Sequence, residues 1–401
     1  MTTVLFLTSA HKGDAMVREV KRLGCHVILV TEEKLKDEPW PRDSIDETFY
    51  VADLARYQDV INAISYLARS KQIDQILPLD EFEVELVAFL REHLRLPGWR
   101  VSAVRHFRDK LIMREVTRNN GILVPDFIQI LNYDKLREFI ANVPPPWVLK
   151  PRSEAGSMGL KKVNSDEEVW RSLDELGDKQ SHYLLEKYVP GDVFHVDSLT
   201  VNGKVVFNSV QKYGKPPMDV YHGGGVFTTR TLSRDAKDSK ALVKMNEKTL
   251  KALGMTYGAT HAEFIKAHDG SGYYFLEVAA RVGGANISDL IEYATDFNLW
   301  REWGKLEVAL LRGEKYELPP VRSDYGGIIV SLAKQEHPDT SAYNDAEIVW
   351  RQDKPYHAGF IVVSPEAERV EALLNNYAPR IANDFLAVGT PMGVQRTGIA
   401  G

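Results

Sequence analysis

Glu263 and Glu277 are the side chains of this sequence most suggestive of chemistry. The first lies in His261-Ala262-Glu263-Phe264-Ile265 and the second in Tyr274-Phe275-Leu276-Glu277-Val278, with His268-Asp269-Gly270-Ser271-Gly272 between them. A hairpin symmetric about Gly270 sets the two carboxylates directly opposite each other. Like charges facing across a sheet repel. The apolar neighbours Phe264, Ile265, Phe275 and Leu276 imply a partly dry site, where the repulsion grows. A hard divalent cation between them resolves it, since Mg²⁺ takes one or two carboxylates together with substrate phosphates. Two solvated glutamates on an exposed face fit the same residues.

A second group can handle an anion. Residues 148–151, Val-Leu-Lys-Pro, read as an apolar strand that carries Lys150 to its end. The small-residue loop Ser153-Glu154-Ala155-Gly156-Ser157-Met158-Gly159 follows. A strand-end lysine supplies a fixed point charge, and glycines let backbone N–H groups approach a phosphate. Ser153, Gly156, Ser157 and Gly159 are the expected contacts; an ordinary turn with a snorkelling lysine is the alternative. In Leu184-Leu185-Glu186-Lys187-Tyr188-Val189, Glu186 can accept a hydrogen bond from an amino group, and the backbone near Val189 can read a purine edge. A plain edge strand fits equally. Arg281 lies four residues beyond Glu277, in Glu277-Val278-Ala279-Ala280-Arg281-Val282-Gly283-Gly284-Ala285-Asn286. A guanidinium there can neutralise a transferring phosphoryl group or an oxyanion, with Asn286 at the mouth; the alternative is a surface arginine. His222, in Tyr221-His222-Gly223-Gly224-Gly225, and Arg230 are candidates for a substrate carboxylate, against a flexible turn.

These residues need a scaffold. Residues 4–7 and 26–31 read as strands around a helix with Met16, Val20 and Leu23 on one face, a β-α-β unit that starts a parallel sheet. Residues 76–79 form another strand, and Asp80 can cap the helix after it. Further on, Val201-Asn202-Gly203 is a hairpin signal between strands 194–200 and 204–209. A helix over 238–253 and the hairpin 260–266/273–278 follow. Antiparallel hairpins interleaved with helices indicate α+β here. The expected domains are 1–100, Rossmann-like α/β; 101–315, with a lid over about 126–183; and a small α+β region, 316–401.

With 401 residues and about 100–200 residues per domain, two to three domains are expected. The net charge of −6 argues against a basic nucleic-acid face. Apolar residues at 44% and charged residues at 26% argue against disorder. No apolar run reaches the ~18 residues of a membrane span. There is no basic leader, and the single Cys25 builds neither a disulfide nor a cysteine metal cage, so a cytoplasmic chain is expected. No P-loop, G-x-G-x-x-G, H-E-x-x-H, G-x-S-x-G or kinase H-R-D loop occurs. The eleven histidines show no metal-ligand spacing.

Taken in order over about residues 1–310, these pieces resemble the ATP-grasp superfamily of carboxylate–amine and carboxylate–thiol ligases, a Rossmann-like domain followed by an ATP-grasp domain. Phe107-Arg108-Asp109-Lys110-Leu111-Ile112-Met113-Arg114 is similar to the lysine-bearing helix that opens the family's nucleotide domain, and Leu79-Asp80-Glu81 to part of its preceding domain. The Glu-Val-Ala-Ala-Arg spelling most resembles the L-amino-acid ligase and biotin-carboxylase-like branch. The resemblance implies ATP and Mg²⁺ (or Mn²⁺) as cofactors. It implies that Lys110 and Lys150 contact phosphates, Glu186 and Val189 flank adenine, Lys187 also binds the nucleotide, Glu263 and Glu277 hold the metal, and Arg281 steadies the acyl-phosphate and tetrahedral intermediates. Two positions depart from the pattern. Ala279 stands where many members carry a metal-binding asparagine, leaving Asn286 as a substitute. Val193 stands where an acid often binds ribose, leaving Asp192. The implied partners are a small-molecule acid and amine, with no nucleic acid or membrane, and a homodimer is the default. A bicarbonate-using carboxylase and an ATP-binding regulator without turnover are the alternatives.

Overall fold

The computed structural model describes residues 2–156 and 158–387, the side chains of 221–223 excepted. The first unit is a parallel sheet of β1 (Thr3–Thr8), β2 (His26–Glu32), β3 (Glu47–Val51) and β4 (Gln75–Pro78), in the order β3-β2-β1-β4. Its central strands are buried on both faces, which is why they read as unbroken apolar runs. Val4, Phe6, Val27 and Leu29 pack on helix Asp14–Arg22, while Leu5, Leu7, Ile28 and Val30 pack on helix Tyr57–Leu67. Asp80 caps as expected, but onto a short 3₁₀ turn, Glu81–Glu83, that precedes helix Val84–His93.

The second unit is a small antiparallel sheet of β5 (Phe127–Gln129), β6 (Trp147–Pro151), β7 (Lys161–Val163) and β8 (Tyr183–Lys187), ordered β5-β8-β6-β7. On β6, Trp147 and Leu149 enter the apolar core of this unit, so Val148 and Lys150 face the opposite way.

The third is a large antiparallel sheet. Its strands are β9 (Gly191–Val201), β10 (Lys204–Tyr213), β11 (Phe227–Thr231), β12 (Gly258–Ala267), β13 (Tyr273–Ala279), β14 (Tyr325–Leu332), β15 (Ile348–Arg351) and β16 (His357–Ser364). The order is β13-β12-β9-β10-β11-β14-β16-β15. Asn202 and Gly203 both take positive φ, the conformation a two-residue hairpin turn requires. The strands of the C-terminal α+β region extend this same sheet through β11–β14 pairing, under helix Ala367–Asp384. Among the described residues no helix is long and apolar enough to cross a membrane.

Candidate active site

The small and large sheets face each other across a cleft. Lys110, Lys150 and Glu186 line it on one side, Glu263 and Glu277 on the other, with Val148, Val189, Val193, Ile265 and Leu276 as apolar walls. The depth, the apolar walls and the two lysines suit a flat heterocycle carrying phosphates.

Glu263 faces Glu277 in the β12–β13 register, but not by simple symmetry. From the turn inward the partners run Lys266–Tyr273, Ile265–Tyr274 and Phe264–Phe275, and a bulge then inserts Leu276 before Glu263 meets Glu277. The extra residue turns both Leu276 and Glu277 into the cleft, while Phe275 and Val278 stay in the core behind. The carboxylates are unequal. The Glu277 side chain keeps 32% of its exposure and has one cation nearby, Lys110 Nζ at 3.3 Å. Glu263 keeps 17%, accepts a hydrogen bond from Tyr213 Oη at 2.8 Å, and faces His261 Nε2 at 3.5 Å. Burial pushes its carboxyl up, and His261 and Tyr213 outweigh burial and hold it below the ordinary range.

Behind Glu263 lies a buried polar chain. Asp197 accepts from Nδ1 of His261 at 2.9 Å and from Nδ1 of His195 at 2.6 Å, and His195 Nε2 meets Thr229 Oγ1 at 2.8 Å. Against the cost of burial, Asp197 and Glu263 raise His261 to about 9, whereas burial lowers His195. Gly283 is bare because a Cβ there would lie 2.7 Å from Asp197 Oδ1. The spacing of the histidines in the sequence does not predict this cluster, yet β9–β12 pairing sets Asp197 beside His261 and His195 beside Glu263. The available signal was two alternating pairs, His195-x-Asp197 and His261-x-Glu263, each on one strand face.

The facing wall is cationic. Lys150 Nζ lies 2.5 Å from Glu186 Oε1, and Arg114 Nε donates to Glu186 Oε2 at 3.0 Å. Burial and the neighbouring Arg114 push Lys150 down to about 8, with Glu186 pulling the other way. Burial raises the Glu186 carboxyl, and the two cations more than offset it. Glu186 lines the cleft, but both of its oxygens, expected to accept from an amino group, are already engaged by Arg114 and Lys150.

Several expectations need correction. Ser153, Gly156 and Gly159 do not line the cleft; Glu154, Met158 and Leu160 do. The loop offers carbonyls rather than amides: Ser153 O accepts from Arg108 and Glu154 O from Lys110 Nζ, each at 2.5 Å. Asp192 sits on the other face of β9 from Val193 and binds Lys212 at 2.8 Å, so strand alternation removes it from the cleft. Asn286 does not line the cleft; it stands at the N-cap position of helix Ile287–Thr295 without a side-chain capping bond, and donates to Asp289 at 2.9 Å. Arg230 pairs with Glu371 away from the cleft. Lys187 and Val189 line the cleft. Ser157 and the His222 side chain lie outside the described residues.

Arg281 takes an unexpected partner. Its Nε and Nη2 donate to Glu81 Oε2 at 3.0 and 2.7 Å, and Arg108 Nη1 donates to Glu81 Oε1 at 2.6 Å. Burial alone would raise Glu81, and the two guanidiniums hold it at about 2. One carboxylate from the first unit thus positions two arginines, and neither Arg281 nor Arg108 is among the residues that line the cleft.

A pair of facing carboxylates, Glu263 braced by Tyr213 and His261 and Glu277 beside Lys110, opposite a cationic wall, is a donor set that fits a magnesium–nucleotide complex. The comparisons agree with that class. The family model for the ATP-grasp domain matches residues 143–289, and that for the ATP-grasp N-terminal domain matches 17–98. The chain belongs to the ATP-grasp family. The L-arginine-specific L-amino acid ligase of Bacillus subtilis is 22% identical over 290 residues, 70% of this chain and 68% of that protein. Two further curated relatives are spanned over 63% and 53% of their length. The crystal structure of an L-amino acid ligase from Bacillus licheniformis superposes with a TM-score of 0.75 at 18% identity, covering 97% of this chain and 99% of that one. Biotin carboxylase from Campylobacter jejuni gives 0.70 at 16% identity, with 96% and 91% covered.

Proposed function

We propose that the protein joins a small acid, an amino acid or a close analogue, to an amine at the expense of ATP, through an acyl-phosphate intermediate. The observation that carries this reading is the convergence of Glu263, Glu277, Lys110 and Lys150 on one cleft. A carboxylate oxygen of the acid attacks the γ-phosphorus, and the bond to the bridging oxygen breaks, releasing ADP. The amine nitrogen then attacks the activated carbonyl carbon, phosphate leaves with the electron pair of its bond, and the nitrogen loses a proton.

This chain's residues divide the work. Lys110 and Lys150 neutralise phosphate charge, and the apolar walls at Val148, Val189 and Ile265 hold the base. Glu263 and Glu277 would hold Mg²⁺, which supplies charge screening on the phosphate oxygens when bound. Arg281, fixed by Glu81, lies next after Ala280 at the exit of β13 and meets the oxyanion of the acid. The small sheet, which holds the expected lid over about residues 126–183 and runs on through β8, closes over the cleft and keeps water from the acyl phosphate.

The test is phosphate release from ATP and Mg²⁺ across pairs of amino acids, with product masses measured. Dipeptide masses with stoichiometric ADP support the reading. Bicarbonate-dependent ADP release without an amide product would point instead to a carboxylase. Tight ATP binding without phosphate release from any pair would point to a regulator and sink the reading.

A further inference from the structure

A second cavity, of about 470 Å³, lies between the first unit and the base of the large sheet and shares no lining residue with the cleft. Its apolar surface comes from Val84, Trp99, Val104, Met255, Leu310 and Leu311. Its size falls within the usual range for small-molecule sites.

One charged group in it is incompletely satisfied. Arg91, on helix Val84–His93, is only 8% exposed. Its Nε donates to Gln75 Oε1 at 3.1 Å and to Ile76 O at 2.9 Å. Among the described residues, neither terminal nitrogen has a hydrogen-bond acceptor, and no carboxylate comes within 4.0 Å of the guanidinium. A buried guanidinium without an anion is costly. The nearest acid on that wall is engaged elsewhere: Glu307 accepts from Trp303 Nε1 at 2.9 Å and from Gln75 Nε2 at 3.1 Å. Gly98, in the cavity wall, lies against the free end, where a Cβ would sit 2.9 Å from Arg91 Nη1. The chain Trp303–Glu307–Gln75–Arg91 therefore fixes the guanidinium by Nε and leaves its outer fork to the cavity.

We propose that this cavity is a binding site for an apolar monocarboxylate, an aromatic or branched acid, held by the Arg91 fork through its carboxylate and by Trp99, Leu310 and Leu311 through its body. The two terminal nitrogens match the two oxygens of a carboxylate. Glu307, on the same wall, opposes a second negative charge on the bound acid. A bound acid touches the first unit and also Gly258 and Ala259 at the start of β12, the strand that leads to Glu263. The site thereby joins the N-terminal unit to the metal-binding hairpin without entering the cleft.

The probe is 4-fluorophenylacetate, followed by ¹⁹F NMR on the full chain with the nucleotide cleft filled by a non-hydrolysable ATP analogue. Its uncharged amide is the control. The acid is expected to saturate near about 1 mM and to bind about tenfold tighter than the amide. Arg91→Gln should remove the preference for the acid. Leu310→Trp, which fills the cavity and leaves the guanidinium in place, should remove binding of both. Arg281→Gln should change neither, since it lies outside the cavity. Four results overturn the proposal: no saturable binding, equal binding of acid and amide, indifference to both cavity variants, or loss of binding in Arg281→Gln, which would locate the probe in the active site. None of them bears on the ligase reading, which the phosphate-release screen tests separately.

Discussion

On the β6–β8 wall of the cleft, Lys150, Glu186 and Arg114 form a closed set with a net positive charge and few free donors. On the β12–β13 wall, Glu263 is braced from behind by Tyr213, His261 and Asp197, while Glu277 is more exposed and, among the described residues, pairs directly with Lys110 alone. The first wall is complete without a ligand; the second carries unbalanced negative charge that a cation completes. The difference separates two tasks. In the proposed function, the basic wall, its two cations already held by Glu186, receives polyphosphate with little rearrangement, and the unbalanced acidic wall makes cation and nucleotide bind together.

Glu277→Gln should break this contrast most strongly. Turnover should fall about 10²–10³-fold, while nucleotide affinity without Mg²⁺ changes little. Phosphate release and calorimetric ADP titrations with and without Mg²⁺ check it, and an unchanged rate removes Glu277 from the metal site.

Glu81 anchors the Arg281 end of the acidic wall. Its carboxyl is held at about 2, against an ordinary 4.5, so the stabilisation is fully present above pH 4.5 and is lost as pH falls through 2. The shift corresponds to about 3 kcal/mol. Urea melts between pH 6 and 2 should show this acid limb in the wild type and a flatter one in Glu81→Gln.

Lys150→Ala should weaken nucleotide binding about 10–100-fold, equally with and without Mg²⁺, in contrast to Glu277→Gln. Because Lys150 is held at about 8, it loses its charge as pH rises past that value. Wild-type affinity should therefore decline from pH 7 to 9.5, while the Lys150→Ala profile stays flatter. A drop confined to the Mg²⁺-bound form would place Lys150 with the metal instead.

The smallest effect is expected from Asp197→Asn. Removing the anion behind His261 loosens Glu263, and Mn²⁺ affinity measured by electron paramagnetic resonance should fall about tenfold. An unchanged affinity would make the buried chain a packing device only.

How much of this could be read from the residues depended on sequence distance. The Glu263–Glu277 pair and the Asn202-Gly203 turn were legible because each is closed by a short turn. The hairpin symmetry was misjudged by one residue near its turn, and the bulge at Leu276 restores the facing carboxylates. Asp192 was assigned without fixing the phase of β9, and alternation places it on the opposite face. The Asp197 cluster depends on β9–β12 pairing, and the Arg281–Glu81 contact joins residues 200 positions apart. Only the alternation of His195-x-Asp197 and His261-x-Glu263 hints at the first, and no local pattern encodes the second. Lys150 was legible because an apolar strand ending in lysine states its direction by alternation alone.

Glu81 has a consequence for recombination. One carboxylate from the first hundred residues holds arginines at 108 and 281, so the three side chains form a single unit of inheritance. A chimera that takes its opening segment from a distant relative keeps its hydrophobic seams and its nucleotide wall. Unless the donor supplies an acid at that place, it brings two guanidiniums together with nothing between them, and the graft fails by charge rather than by shape.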